Sequence, residues 1–346
     1  MKLSVVDQSP IASGQTAADA LHNTIELAQL CERLGYERYW VAEHHSAGSF
    51  AGTAPDVLIA RLGAETKSIR LGSGAVLLPH YSPLRVAEAF RMLHALYPNR
   101  IDLGIGRAPG GTPLETYALQ RAQEGTRDDF PEKLVEMLAF FNKGFPEQHP
   151  FNRILVQPEM PGGPEVWLLG SSNWSADAAS QLGLPYAFAH FINPEPTRRA
   201  IEFYRKNFKP SAYLSEPKVL LATGAVAADT EAEAERLYTS YRMRRIMRDR
   251  GDRGPIPSPE ESEEQLKQYE NYESRQDNRD NGEWPRVFHG SIERVHEEMD
   301  AMLRAVDVDE LMVVTVVHSH RARLHSHELL ANAFGITPRV EEAAVS

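Results

Sequence analysis

Residues Trp40-Val41-Ala42-Glu43-His44-His45 pass from an apolar stretch directly into three titratable side chains. Such a cluster is costly in a core and useful at the end of a strand, where it can meet a ligand. His44 is the first candidate for general acid–base chemistry, because an imidazole ordinarily titrates near neutrality. A structural histidine bonded to a loop carbonyl is the competing reading. Adjacent residues on a strand point to opposite sides, so at most one of His44 and His45 should face a common centre. That spacing makes the pair a poor two-histidine metal site.

Three glycine-rich segments offer further chemistry. In Leu71-Gly72-Ser73-Gly74-Ala75-Val76-Leu77-Leu78, glycines interrupt an apolar strand. They fit either a bulge or the close approach of a flat ligand to the backbone. In Gly104-Ile105-Gly106-Arg107-Ala108-Pro109-Gly110 the spacing is not that of a dinucleotide fingerprint, and Pro109 breaks the turn. Arg107 beside these glycines reads better as an anion-binding residue. Gly170-Ser171-Ser172-Asn173-Trp174 opens a helical pattern. Free N–H groups and hydroxyls there suit a phosphate, although simple N-capping uses the same chemistry. His318 and His320 could begin a metal site, but no Asp or Glu stands beside them to complete it. His325 and His327 fall on a helix, where i, i+2 residues diverge.

These groups must be positioned by a scaffold. Apolar runs recur at 3–7, 37–42, 69–77, 100–105, 165–169, 185–190, 218–226 and 310–317, with helical patterns between most of them. Most runs lack polar alternation, as expected for parallel strands covered on both faces. Repeated βα units, eight in number, predict an α/β fold of the (β/α)8 TIM-barrel type, whose chemistry sits at the C-terminal ends of the strands. Thr16 with Asp19 predicts a helix start and Gly35 its end. Ser82-Pro83 and Ser291 predict two more starts.

Insertions are expected after the fourth and seventh strands. Residues 143–164 are rich in Pro and Gly, with a small extra strand expected around Arg153-Ile154-Leu155-Val156. Residues 242–284 carry dense mixed charge, and their position predicts a mobile lid over about 249–283, with a plain loop as the alternative.

Composition narrows the function classes. The 346 residues are 42% hydrophobic with a net charge of −11, and no basic face stands out beyond residues 242–253. Nucleic acid is therefore not an expected partner. Cys31 is the single cysteine and falls on an apolar helix face, which excludes intramolecular disulfides and points to a buried hydrophobe. No targeting segment or apolar run of membrane-spanning length is visible, so the expectation is one cytoplasmic domain over residues 1–346 with no membrane contact.

Taken together and in this order, Ala42-Glu43-His44-His45, Gly74 to Pro79, Leu84-Arg85-Val86-Ala87-Glu88, Gly104 to Gly110 and Gly170-Ser171-Ser172 resemble the bacterial luciferase-like flavin monooxygenases, in their single-subunit branch. The resemblance covers nearly the whole chain. It implies a barrel that binds FMN at its C-terminal mouth, with a cis peptide at Gly74–Ala75 against the flavin ring. It also implies that Glu88 is a carboxylate near the flavin, that Arg107 and the Gly170, Ser171, Ser172, Trp174 turn hold the phosphate, and that His44 is the acid–base residue. The implied chemistry is reaction of bound reduced FMN with O2 and oxygen transfer to a small organic substrate. The implied partners are that substrate, a separate flavin reductase and a second copy of the chain in a homodimer. Luciferase α subunits carry a cysteine before the matched arginine. Gly106 stands there instead, which argues against light emission or a long-chain aldehyde substrate. A deazaflavin-dependent reductase, a non-catalytic flavin-binding protein and a metal-dependent hydrolase built on His318 and His320 are the alternative functions.

Overall fold

Short strands of Val, Ile, Leu and aromatic residues alternate with amphipathic helices throughout the computed structural model, which describes residues 1–120, 128–269, 282–308 and 310–339. The strands are β1 (Lys2–Asp7), β2 (Arg38–Val41), β3 (Arg70–Ser73), β4 (Val76–Leu77), β5 (Ile101–Gly106), β6 (Glu165–Gly170), β7 (Tyr186–Ala189), β8 (Val219–Ala228), β9 (Val287–Ser291) and β10 (Glu310–Val314). The helices are α1 (Ala17–Leu34), α2 (Pro55–Glu65), α3 (Pro83–Leu96), α4 (Pro113–Gln120), α5 (Phe130–Asn142), α6 (Asn173–Leu182), α7 (Thr197–Asn207), α8 (Glu231–Asp249), α9 (Pro259–Leu266), α10 (Ile292–Val306) and α11 (His320–Ala333). None among the described residues is long and apolar enough to cross a membrane.

Eight strands close a parallel barrel in the order β1, β2, β3, β5, β6, β7, β8, β10. Closure is made by β10, which pairs Glu310–Val313 with Lys2–Val5 of β1 and Glu310–Val314 with Leu220–Gly224 of β8. All eight expected strands are present, so the (β/α)8 reading holds. The expected third strand is interrupted: β3 and β4 are separated by a cis peptide at Gly74–Ala75.

One strand was not anticipated. β9 pairs Val287–Ser291 with Gly224–Ala228, the C-terminal half of β8, outside the closed ring. Val287-Phe288 between Arg286 and His289 is too short an apolar run to register as a strand on its own. The extra strand expected near residues 153–156 is absent. Pro150–Arg153 forms a 3₁₀ turn, with His149 Nδ1 accepting from the Phe151 N–H at 3.2 Å, and Leu155 is exposed.

Helix ends follow local chemistry. Thr16 and Asp19 form a reciprocal capping box, and Gly35 ends α1 at φ 93°. Val295, Met299 and Met302 face inward from α10, and Cys31 is fully buried, where loss of solvation pushes its thiol well up.

Apolar residues form two layers. One lies between sheet and helices. The other fills the barrel with Val6, Trp40, Trp167, Leu220 and Met312, and is capped from above by Ile256. Ile256 belongs to a strap, residues 250–258, that crosses the C-terminal mouth. Its N–H donates to the Ile11 carbonyl and its carbonyl accepts from Ser13 N, both at 2.8 Å. Ser49 Oγ donates to the Gly254 carbonyl at 2.6 Å, and Arg253 reaches Glu115 at 2.8 Å. Of the stretch expected as a lid, residues 250–258 run across the mouth, and residues 270–281 fall outside the described residues.

Candidate active site

Two adjoining cavities open at the C-terminal end of the barrel. The first encloses about 320 Å³ and reaches into the barrel, so its floor is Val6, Trp40, Ala187, Ala222 and Met312. Gly74 and Ala75 form one wall. A Cβ on Gly74 would sit 3.0 Å from Val6 Cγ2 and 3.3 Å from Trp40 Cβ, so any side chain there would press on the floor.

The outer end of this cavity is polar and cationic. β6 runs through Gly170 into α6 with a tight turn, because a Cβ on Gly170 would lie 2.3 Å from Ser175 Oγ. Ser175 Oγ donates to the Ser172 carbonyl at 2.7 Å, which fixes the helix start. Ser171, Ser172 and the N–H groups opening α6 therefore border the cavity together. Arg107 follows β5 and lies over the Trp174 ring at 4.9 Å, while pairing with Asp128. Half-exposed and already stacked, it is placed to meet an anion at little ordering cost.

His44 stands in the wall shared by both cavities. Its backbone N–H donates to the Gly52 carbonyl at 2.9 Å, and its ring rests on Phe50 with centroids 4.9 Å apart. Nδ1 is buried and has no hydrogen-bond partner among the described residues. Burial, followed by the nearby His45 and Arg244, holds the imidazole down at about 4. This corrects the expectation of a group titrating near neutrality: His44 is neutral at pH 7. The reason is tertiary, since Phe50 and the mouth loops remove it from water.

Glu43 has a different part. It accepts from Tyr81 Oη at 2.7 Å and from Leu77 N at 3.0 Å, and its Oε1 lies 2.8 Å from His45 Nε2. It ties β4 to the end of β2. Both histidines border the larger cavity, contrary to the expectation that only one could face the centre. β2 ends at Val41, so strand alternation no longer governs residues 44 and 45.

The structure brings His44, Gly74, Ala75, Arg107, Gly170, Ser171, Ser172 and Trp174 around the first cavity. It does not bring Glu88 there. Glu88 is half-buried on α3 and lines neither of these two cavities. His318 lies by Ser13 and His320 by Glu26, and among the described residues no cluster of three metal-ligating side chains exists.

The second cavity, about 530 Å³, lies above the first and shares Gln8, His44, Gly110, Phe191 and Ile192 with it. Its lining combines Phe50, Val226, Val287, Val314 and Val316 with Arg286 and arginines of α8 and the strap. Sequence reasoning passed over these arginines. The available signal was their density: residues 242–253 are the one basic stretch noted in an acidic chain, placed just after the seventh barrel strand.

The family model of luciferase-like monooxygenases matches residues 1–313. A luciferase-like monooxygenase of Escherichia coli (strain K12) is 41% identical over 332 residues, 94% of this chain and 95% of that protein. The N-acetyl-S-alkylcysteine monooxygenase of Bacillus subtilis (strain 168) is 44% identical over 238 residues, 68% of this chain and 70% of that protein. The solved structure of apo-MsnO8 is 45% identical, with a TM-score of 0.89, and covers 98% of this chain and 99% of that chain.

Proposed function

Because the chain belongs to the luciferase-like monooxygenase family, we propose that it uses reduced FMN as a co-substrate, with O2, to oxidise a small organic substrate. The observation that carries this reading is the make-up of the first cavity. An apolar floor, a wall of Gly74 and Ala75, a cationic end and a half-buried imidazole meet around one slot. Those features fit a flat ring system with a phosphorylated tail.

Reduced FMN, when bound, supplies the two electrons that let O2 place one oxygen atom on the substrate and leave the other as water. The chain binds, orients and shields. Arg107, Ser171, Ser172 and the N–H groups opening α6 hold the phosphate. The Gly74–Ala75 backbone and Trp40 support the ring. His44, neutral and without a partner on Nδ1, offers a hydrogen bond or accepts a proton between flavin and substrate. A separate reductase delivers the reduced flavin.

The test is turnover by the purified protein with reduced FMN, O2 and a panel of small molecules, read by mass spectrometry. The N-acetyl-S-alkylcysteine monooxygenase among its relatives supports placing thioethers first in that panel. Oxygen from ¹⁸O2 in a product is expected. Turnover with a reduced deazaflavin but not with reduced FMN would overturn the reading.

Arg107→Ala should weaken FMN binding ten- to a hundredfold, since a charge-assisted contact contributes about 1.5–3 kcal/mol. Riboflavin lacks the phosphate, and its affinity should stay the same. Equal losses for the two ligands, measured by fluorescence titration, would remove Arg107 from the phosphate site.

The strap at 250–258 fits a lid that keeps water from the reacting centre. Ile256 is its apolar plug, fully buried on the barrel interior. Ile256→Ala should leave the barrel folded, make residues 250–269 more sensitive to limited proteolysis, and raise peroxide release per turnover several-fold. Peroxide release matching wild type would reduce the strap to a loop.

A further inference from the structure

Within the second cavity, the buried guanidinium of Arg244 lacks an acceptor among the described residues. Arg244 sits on α8 with only 8% of its surface exposed. Its Nε and Nη1 are buried and have no hydrogen-bond partner among the described residues. Its guanidinium lies 5.8 Å from the Phe50 ring, and Phe50 in turn carries His44. A buried guanidinium normally comes with a carboxylate or several carbonyls, because losing hydration uncompensated is expensive.

Neighbouring arginines of the cavity are engaged. Arg253 donates to Glu115 and to Ser46 Oγ, at 2.8 and 2.7 Å. Arg286 donates to the carbonyls of Phe191 and Ile192. Arg248 lies 3.6 Å from Asp249. Arg245 lies over Tyr241 at 5.9 Å. Five arginines and one acidic side chain, Asp252, line this cavity, and Asp252 already accepts from the Gly254 N–H at 2.8 Å. The lining also includes the apolar side chains of Phe50, Val226, Val287, Val314 and Val316. A helix C-terminus attracts cations, but that accounts for exposed arginines at the end of α8 and not for a desolvated one a turn earlier.

We propose that the second cavity is the substrate pocket and accepts a small organic acid, whose carboxylate is bound by Arg244 and whose apolar body lies against Phe50. The assignment to substrate rests on the flavin reading of the first cavity. Arg244 and His44 each lie against Phe50.

The test is calorimetric titration of the full-length protein with 3-phenylpropanoate and with its uncharged amide, with and without anaerobically reduced FMN. In wild type the acid should bind at least about tenfold tighter than the amide, because a charge-assisted contact is lost in the amide. Arg244→Gln should abolish that preference, Arg244→Lys should keep part of it, and neither should alter FMN affinity. Circular dichroism checks that both variants fold. Equal affinity for acid and amide in wild type, absence of saturable binding of the acid, or an unchanged preference in a folded Arg244→Gln variant would each overturn the proposal. Failure of FMN to bind would defeat the flavin reading instead. The acid–amide difference without flavin would still decide whether Arg244 holds a carboxylate.

Discussion

His44→Ala lowers turnover by about 10²-fold or more while flavin affinity and folding stay close to wild type; that is the expected result if the imidazole handles a proton between flavin and substrate. The residue faces two cavities and its Nδ1 has no hydrogen-bond partner among the described residues, so removing its ring breaks no hydrogen bond at that nitrogen there. The pH dependence gives an independent readout. Because the folded-state value is held at about 4, the neutral ring persists throughout the physiological range, and kcat should show no inflection near 6.5 from this residue. Stability should respond at lower pH. Between about 6.5 and 4 the unfolded chain takes up the proton and the folded chain does not. Stability is therefore lost as pH falls through that window, by about 3 kcal/mol for this one group. His44→Gln should remove that part of the slope in urea titrations at pH 4.5 and 7. A variant with full turnover would sink the catalytic role, and an unchanged slope would show that the ring is less desolvated than its surroundings indicate.

Much of this architecture was legible because parallel strands covered on both faces leave unbroken apolar runs. Seven of the eight barrel runs became single strands to within a few residues, the third was split into β3 and β4, and most of the candidate residues near their C-terminal ends line one cavity. What escaped depended on tertiary packing. His44 rests on Phe50 and shares its cavity with residues 251–253 of the strap, more than 200 residues away in sequence. Arg244 belongs to a charged stretch that reads as a solvated surface until α8 is seen to lean over the mouth. Glu88 was assigned through a family pattern alone, and its helix places it away from the cavity. Glu43 was grouped with the histidines as a titratable cluster, yet its carboxylate is a tie between β2 and β4.

The opposite end of the barrel was equally hidden, because charges at strand starts look like boundaries. Arg38 opens β2 and is nearly fully buried. Its Nε donates to Glu310 at 2.7 Å and its Nη1 to Asp102 at 2.8 Å, while the guanidinium lies over Trp167 at 4.8 Å. Asp102 also accepts from Arg70 and from Trp40 Nε1, the latter at 2.9 Å, and Ser4 Oγ donates to Glu310 at 2.7 Å. Strands from across the ring thus meet in one ionic plug. Arg38→Met keeps the volume and removes the charge, leaving Asp102 and Glu310 under-compensated in the interior. The expected loss is about 3–5 kcal/mol, a large share of the total for a domain that has about 5–15 kcal/mol. It should appear in urea melts as a lower midpoint with little change in slope. A functional consequence follows through Trp40, which donates to Asp102 below and forms the floor of the first cavity above. When the plug loosens, that floor loses its anchor, so the folded fraction of Arg38→Met should also bind reduced FMN more weakly. A midpoint within experimental error of wild type would mean that water reaches the plug and solvates the orphaned carboxylates. The plug would then be dispensable for stability, and the floor of the flavin cavity would have to be fixed by packing against Val6 and Trp167 alone.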